Sequence, residues 1–127
     1  MTSAVLDASA LLAFVKGEPG AEVVAPLIGD AVISAVNFAE AVTKLVEKGM
    51  TIDLARTALG IAEIDVIDFD RGLAEQTGGL VARTKPFGLS LGDRACLALA
   101  SRERAAAVTG DRAWSQLGLE IEVRLIR

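Results

Sequence analysis

Four carboxylates, Asp7, Glu40, Asp93 and Asp111, stand where short apolar runs give way to helices or turns. Asp7 directly follows Val5-Leu6, and Asp111 follows Val108-Thr109 after one glycine. Glu40 and Asp93 fall in the first turns of two expected helices. Carboxylates drawn to one place repel one another, and a divalent cation relieves the repulsion. Hard oxygen ligands suit Mg²⁺ or Mn²⁺, which acidify a bound water and neutralise the oxygens of a phosphodiester in displacement. Such chemistry needs no imidazole, and the chain has no histidine, so Ser-His-Asp and Cys-His catalysis and His-ligated zinc are excluded. Cys96, the one thiol, can form neither an internal disulfide nor a multi-cysteine metal site. It lies in the apolar run Ala95–Ala100 and reads as an inert core residue.

Each acid also has a plainer role open to it. Asn37-x-x-Glu40 and Ser90-x-x-Asp93 both fit a capping residue followed by an acidic N3 partner. Glu40 also stands four residues before Lys44, at ion-pair spacing. Asp7 fits a turn and Asp111 an Asx-turn. What separates these roles from shared chemistry is whether the fold brings the four acids to one edge.

The elements that decide this are legible in outline. Ser3–Leu6 reads as a buried strand, followed by a helix to Lys16 with Ser9 near its N-cap. Gly17, Pro19 and Gly20 break the pattern before a helical piece over Ala21–Ile28. Ala31–Ser34 reads as a strand. Asn37 is placed to cap a helix in which Phe38, Ala41, Val42, Leu45 and Val46 form one apolar stripe, stopped by Gly49. Thr51 or Asp53 caps a helix over Leu54–Ala62, and Asp65–Ile67 is the next strand. A helix is expected from about Asp70, with Gly78-Gly79 weakening its continuity. After a loop at Lys85–Gly88, Ser90 caps a largely buried helix from Leu91 to about Arg104. Ala106–Thr109 is a strand, a short helical turn lies near Trp114, and Ile121–Ile126 closes the pattern. Strands alternating with helices imply a three-layer α/β/α fold around a mainly parallel sheet, in one domain over residues 1–127. In such folds the functional crevice lies outside the carboxyl ends of the strands, where Asp7 and Asp111 both emerge.

Composition narrows the possibilities further. The 127 residues are 52% hydrophobic and 24% charged, enough apolar material for a core. Seventeen acidic residues against 13 basic give a net charge of -4, an excess equal to the four acids singled out above. The pI near 4.8 argues against a generally basic nucleic-acid coat. A local rim of Lys16, Lys44 and Lys48 remains open, either as a path for RNA backbone or as an ordinary solvated helix face. Arg94 and Arg112 adjoin proposed ligands and would hold a phosphate or a structural salt bridge. Asp65, Asp68 and Asp70 fit no EF-hand loop and read as strand-edge and capping residues. With one tryptophan and no tyrosine, the chain lacks base-stacking platforms, and Trp114 reads as packing. Mean hydropathy is +0.46, yet the longest uncharged stretch is the nine residues Ala31–Ala39, far short of a membrane span. No basic-then-apolar leader opens the sequence, so a cytoplasmic location is expected.

Val5-Leu6-Asp7-Ala8-Ser9, Ser34-Ala35-Val36-Asn37-Phe38-Ala39-Glu40, Leu89–Ala98 around Gly92-Asp93-Arg94, and Val108-Thr109-Gly110-Asp111 together resemble the motifs of PIN-domain ribonucleases, above all the VapC toxins of toxin–antitoxin pairs. The resemblance spans essentially the full chain. It implies that Asp7, Glu40, Asp93 and Asp111 form a catalytic metal-binding site for Mg²⁺ or Mn²⁺, with Ser9 and Thr109 as supporting hydroxyls. It further implies cleavage of RNA, a homodimer, and inhibition by a VapB-type antitoxin whose C-terminal segment occupies the active groove. Two alternatives stay open: a PIN nuclease of housekeeping RNA processing without an antitoxin, and a receiver-like α/β signalling module. A receiver needs a phospho-accepting aspartate after a middle strand, and Asp65–Asp70 offers no clean match.

Overall fold

Short runs of small and β-branched apolar residues form the strands. In the computed structural model, which describes residues 2–127, these are β1 (Ala4–Leu6), β2 (Ala31–Ser34), β3 (Asp65–Ile67), β4 (Ala106–Thr109) and β5 (Val123–Leu125). The helices are α1 (Ala8–Lys16), α2 (Ala21–Val24), α3 (Ala35–Glu47), α4 (Ile52–Gly60), α5 (Arg71–Gly79), α6 (Val81–Thr84) and α7 (Leu91–Glu103), with 3-10 turns at Ala25–Asp30, Lys85–Phe87 and Arg112–Gln116. The strands form one sheet in the order β3-β2-β1-β4-β5, every pair parallel. The expected α/β class with a parallel sheet is the observed one.

Alternation along the central strands divides the interior in two. Ala4, Leu6, Ala31, Ile33 and Val108 face a core built from α1 to α4, whereas Val5, Val32 and Ala107 face one built from α5, α7 and the turn around Trp114. Helices therefore cover both faces, as parallel strands require. Helix α7 carries the longest buried run of any helix, every residue from Ala95 to Ala100 being buried, Cys96 among them. Trp114 is likewise buried and packs within the second core.

Chain order reverses at the centre of this sheet. From β1 the chain moves outward to β2 and β3, then returns through α7 to β4 on the other side of β1. That switch opens a crevice between the carboxyl ends of β1 and β4. Asp7 ends β1 and Asp111 follows β4 there, while α3 and α7 start at the same edge.

Several boundaries differ from the sequence expectation for identifiable reasons. Asp7, rather than Ser9, is the N-cap of α1, its carboxylate accepting the Ala10 N–H. Ser34, rather than Asn37, caps α3, its hydroxyl accepting from Val36. Helix α2 stops at Val24 and passes into a 3-10 turn, because Pro26 has no N–H to continue the α pattern. Thr51 caps α4, which ends at Gly60 rather than Ala62, and the last strand is shorter than Ile121–Ile126. The helix from Asp70 is discontinuous just past its glycine pair: Gly78 and Gly79 are the last residues of α5, and Leu80 separates it from α6.

The α7 layer should be the most sensitive to truncation. Leu97→Ala, at a fully buried site, should lower unfolding free energy by about 2–5 kcal/mol. The same change at Leu54, which is 59% exposed, should cost no more than about 0.5 kcal/mol. Urea titration reads both, with the Leu97 variant shifting the midpoint at constant slope.

Candidate active site

Asp7 is drawn inward, only 6% exposed, because it caps α1 at the point where β1 leaves the sheet. Ser9 Oγ donates to its Oδ1 at 2.6 Å and the Ala10 N–H donates to the same oxygen at 2.9 Å. Thr109 Oγ1 donates to Oδ2 at 2.5 Å. The two hydroxyls are themselves oriented by backbone: Gly110 N–H donates to Ser9 Oγ and Asp111 N–H donates to Thr109 Oγ1, each at 3.0 Å. Two successive amides after β4 thus leave both hydroxyl protons free for the carboxylate.

The other three acids are held by their own helices. Asp93 completes a capping box, Oδ2 accepting the Ser90 N–H at 2.9 Å while Ser90 Oγ accepts the Asp93 N–H at 3.1 Å. Asp111 caps the Arg112–Gln116 turn through Oδ1 and the Ala113 N–H at 2.9 Å. Glu40 Oε1 accepts from Asn37 Nδ2 at 2.9 Å. Each of these three carboxylates spends one oxygen on structure; Glu40 Oε2, Asp93 Oδ1 and Asp111 Oδ2 make no hydrogen bond among the described residues.

All four line one cleft of about 420 Å³, together with Ser9, Ser90, Lys44 and Arg127. Burial pushes the Cys96 thiol well above its ordinary range, and the charges of Asp7, Asp93 and Glu40 push it further. Cys96 is correspondingly inert. Asp111 is exposed on the rim. The carboxylates are more loosely grouped than the expected crowded cluster: among the described residues no three acidic, thiol or imidazole side chains are close enough to form a ready cation cage. The donor set still fits Mg²⁺ or Mn²⁺, since magnesium takes one or two carboxylates directly and keeps several waters. An oxygen or lone pair on each acid remains free for that purpose.

Burial, more than repulsion, sets the electrostatics of Asp7. Exclusion from water raises its pKa, the Ser9, Thr109 and Ala10 hydrogen bonds oppose that rise, and the Asp93 charge adds a smaller upward push. The N-termini of α1, α3 and α7 also point toward this edge, and their partial positive charge favours anions there.

The arginines do not sit where their sequence neighbours suggest. Arg94 turns away from the cleft and donates to the Thr77 carbonyl at 3.0 Å, binding neither phosphate site nor acid cluster. The Arg112 side chain lies outside the cleft and is exposed. Glu40 and Lys44 face one cleft without forming an ion pair. The basic residue that sequence spacing missed is Arg127, whose guanidinium packs over Gly110 and donates to the Pro19 carbonyl at 2.9 Å. A contact across 108 residues leaves no local signal. Lys16, Lys44 and Lys48 do converge, lining with Arg127 a second recess that shares Ser9 and Lys44 with the acidic cleft.

An all-parallel sheet with four acidic side chains lining a cleft at its switch point defines an α/β protein with an acidic cleft. The sequence profile of the PIN domain matches residues 4–119, and the chain belongs to that family. No curated protein matches it in sequence. Among solved structures it is similar to a DNA-bound VapBC from Salmonella typhimurium (19% identity, 100% of both chains, TM-score 0.78). It also resembles VapBC2 from Rickettsia felis bound to a promoter DNA fragment (17% identity, 98% of both chains, TM-score 0.76). A third likeness is to Mycobacterium tuberculosis VapC20, a Sarcin-Ricin loop cleaving toxin (21% identity, 96% of this chain and 99% of that one, TM-score 0.73). No helix among the described residues is long and apolar enough to cross a membrane.

The raised Asp7 pKa has a stability consequence in the metal-free protein. Between the ordinary value of 3.8 and the higher folded value, the native state holds a proton that the unfolded chain has released. Stability therefore falls as pH rises through that window and stays lower above it. Asp7→Asn should raise the metal-free melting temperature at pH 7, and the gap should close as pH is lowered toward 4. Thermal melts across that range provide the check; a lower Tm at pH 7 would mean the hydrogen bonds outweigh burial.

Proposed function

We propose that this chain, as one nuclease unit over residues 1–127, is a Mg²⁺- or Mn²⁺-dependent endoribonuclease that acts as the toxin of a toxin–antitoxin pair. The observation that carries the reading is the shared cleft of Asp7, Glu40, Asp93 and Asp111 at the switch point of a PIN fold. In this reading the four acids hold the cation, which when bound supplies an acidified water and charge neutralisation at the scissile phosphate. Ser9 and Thr109 fix the Asp7 carboxylate. Lys44 and Arg127, at the mouth, draw the phosphate toward acids that would otherwise repel it. Lys16 and Lys48 extend this basic margin along the adjoining recess, which supports a path for RNA backbone and offsets the acidic pI locally.

An antitoxin partner is supported by solved relatives that are toxin–antitoxin complexes. Val46, Met50, Ile52 and Leu54 leave apolar surface exposed from the end of α3 into α4, the kind of face a protein partner or a second copy covers. A homodimer rests on the VapC resemblance. Growth arrest on expression, relieved by Asp7→Asn, distinguishes a toxin from a housekeeping nuclease.

Purified protein free of antitoxin should cut single-stranded RNA with Mn²⁺ and lose that activity on chelation. Asp93→Asn and Glu40→Gln should each lower the cleavage rate by at least about 100-fold, on the scale of removing an electrostatic catalytic group. Retention of full cleavage by both variants would refute the assignment. A second measurement addresses the basic margin. In the Asp7→Asn background, Lys48→Ala should weaken RNA binding and reduce the slope of log K against log[salt] by about 0.7, the single-strand value per phosphate contact. Arg56→Ala, on exposed α4 and paired with Asp53, should leave that slope unchanged.

A further inference from the structure

We infer that Asn37 is a positioning residue that aims the Glu40 carboxylate into the cleft by locking α3 to α7. The inference rests on the metal-site reading above and adds a residue to it. Asn37 is the third residue of α3 and only 1% exposed. Its Nδ2 carries two hydrogens, and both are used: one goes to Glu40 Oε1 and one to the Gly92 carbonyl, each at 2.9 Å. The amide orientation follows, because a flipped side chain would set its oxygen against two acceptors. With Oε1 held, Glu40 keeps Oε2 for the cleft that its side chain lines.

Gly92 supplies independent evidence for the same contact. A Cβ added there would overlap all three heavy atoms of the Glu40 carboxyl group. The carboxylate therefore lies directly against the backbone of the residue preceding Asp93. Helices α3 and α7 belong to opposite layers of the sheet, and where their first turns approach each other above its edge the Asn37 amide bonds the Gly92 carbonyl and the absent Gly92 side chain makes room for Glu40. Asn37 so fixes the position of Glu40 relative to Asp93, the spacing on which a shared cation depends.

Stability alone does not account for an asparagine here. Its Oδ1 is buried and has no hydrogen-bond partner, so the side chain carries a desolvation penalty that an apolar residue of similar size would avoid. Within α7 the Gly92 carbonyl stands at the position that accepts the Cys96 N–H, so it does not depend on Asn37 for a donor. The amide is retained where its distinctive property, two donors on one planar group, is spent on Glu40 and its neighbour.

The test is Mn²⁺ affinity, read by calorimetric titration of the metal-free full chain, with melting curves to confirm folding. Asn37→Leu should remain folded and bind Mn²⁺ about 10- to 100-fold more weakly, the range for partners that orient metal ligands. Asn37→Ser, which keeps one donor, should fall between the two. Gly92→Ala, which displaces the same carboxylate from the other side, should reproduce the loss. In a Glu40→Gln background the effect of Asn37→Leu should shrink to less than about threefold, because the cycle removes the group through which Asn37 acts. Unchanged Mn²⁺ affinity in folded Asn37→Leu, or an equal loss in both backgrounds, would overturn the inference while leaving the nuclease reading intact. A wild-type protein that bound no Mn²⁺ would overturn both.

Discussion

The Asp7 carboxylate is the group on which the arrangement of this molecule turns. It is buried between β1, β4 and α1, where an ionised acid without partners would be expelled or neutralised. Three donors meet it, and two are hydroxyls whose own protons are directed by the Gly110 and Asp111 amides. The result is a pair of relays, each running backbone amide to hydroxyl to carboxylate oxygen, in which every donor polarises the next. Because the amides belong to the segment leaving β4 and the acceptor to the segment leaving β1, the relays bind the two sides of the crevice to each other. The pKa of Asp7 still rises, so the relays moderate the desolvation without cancelling it.

That crevice exists because of sheet topology. Central strands in a parallel sheet are buried on both faces, so the only exposed opening near them is at the strand ends. Reversal of strand order between the parallel β1 and β4 means that no crossover helix fills the gap there. Three helices begin around it and each brings an acid: Asp7 caps α1 and Asp93 stands in the first turn of α7, whereas Glu40, expected in a first turn, lies in the second turn of α3 because that helix already starts at Ala35. The helix N-termini favour anions at that edge, which is one physical reason a chain can collect carboxylates there without first binding a cation.

Much of this was legible in the residues, and what was not has specific causes. The stretches Ala31–Ser34, Asp65–Ile67 and Ala106–Thr109 coincide with strands because apolar or β-branched runs lie between clear breakers. The start of α3 was set three residues late, since Asn37 is a strong capping type and Ser34 looks like the end of a strand. Ser34 does both, and Asn37 is released to serve a contact across 55 residues that no local pattern encodes. Arg94 misled for the opposite reason: adjacency to Asp93 on a helix means pointing about 100° away, toward α5 rather than the cleft. The lysines of α1 and α3 were visible as a set, but only the crossing of the two helices brings them beside Arg127 into one recess.

The opposition between a capping acid and a ligand acid, natural when reading the chain linearly, dissolves at the level of atoms. A carboxylate has two oxygens and about four acceptor positions. Asp93 gives Oδ2 to Ser90, Asp111 gives Oδ1 to Ala113, and Glu40 gives Oε1 to Asn37, so each side chain is held by one end with its other end unengaged. Capping then serves the site directly, because it removes rotamer freedom that a flexible surface acid would lose only on binding. It also explains how the acids can stand apart without a ready cage: each is held in place by a hydrogen bond to its own helix or turn, and in the proposed function the remaining distance would be spanned by water, substrate oxygens and a cation. A site assembled from such tethered acids is rigid on the protein side, and under the proposed function it would be open where a substrate supplies its own oxygens.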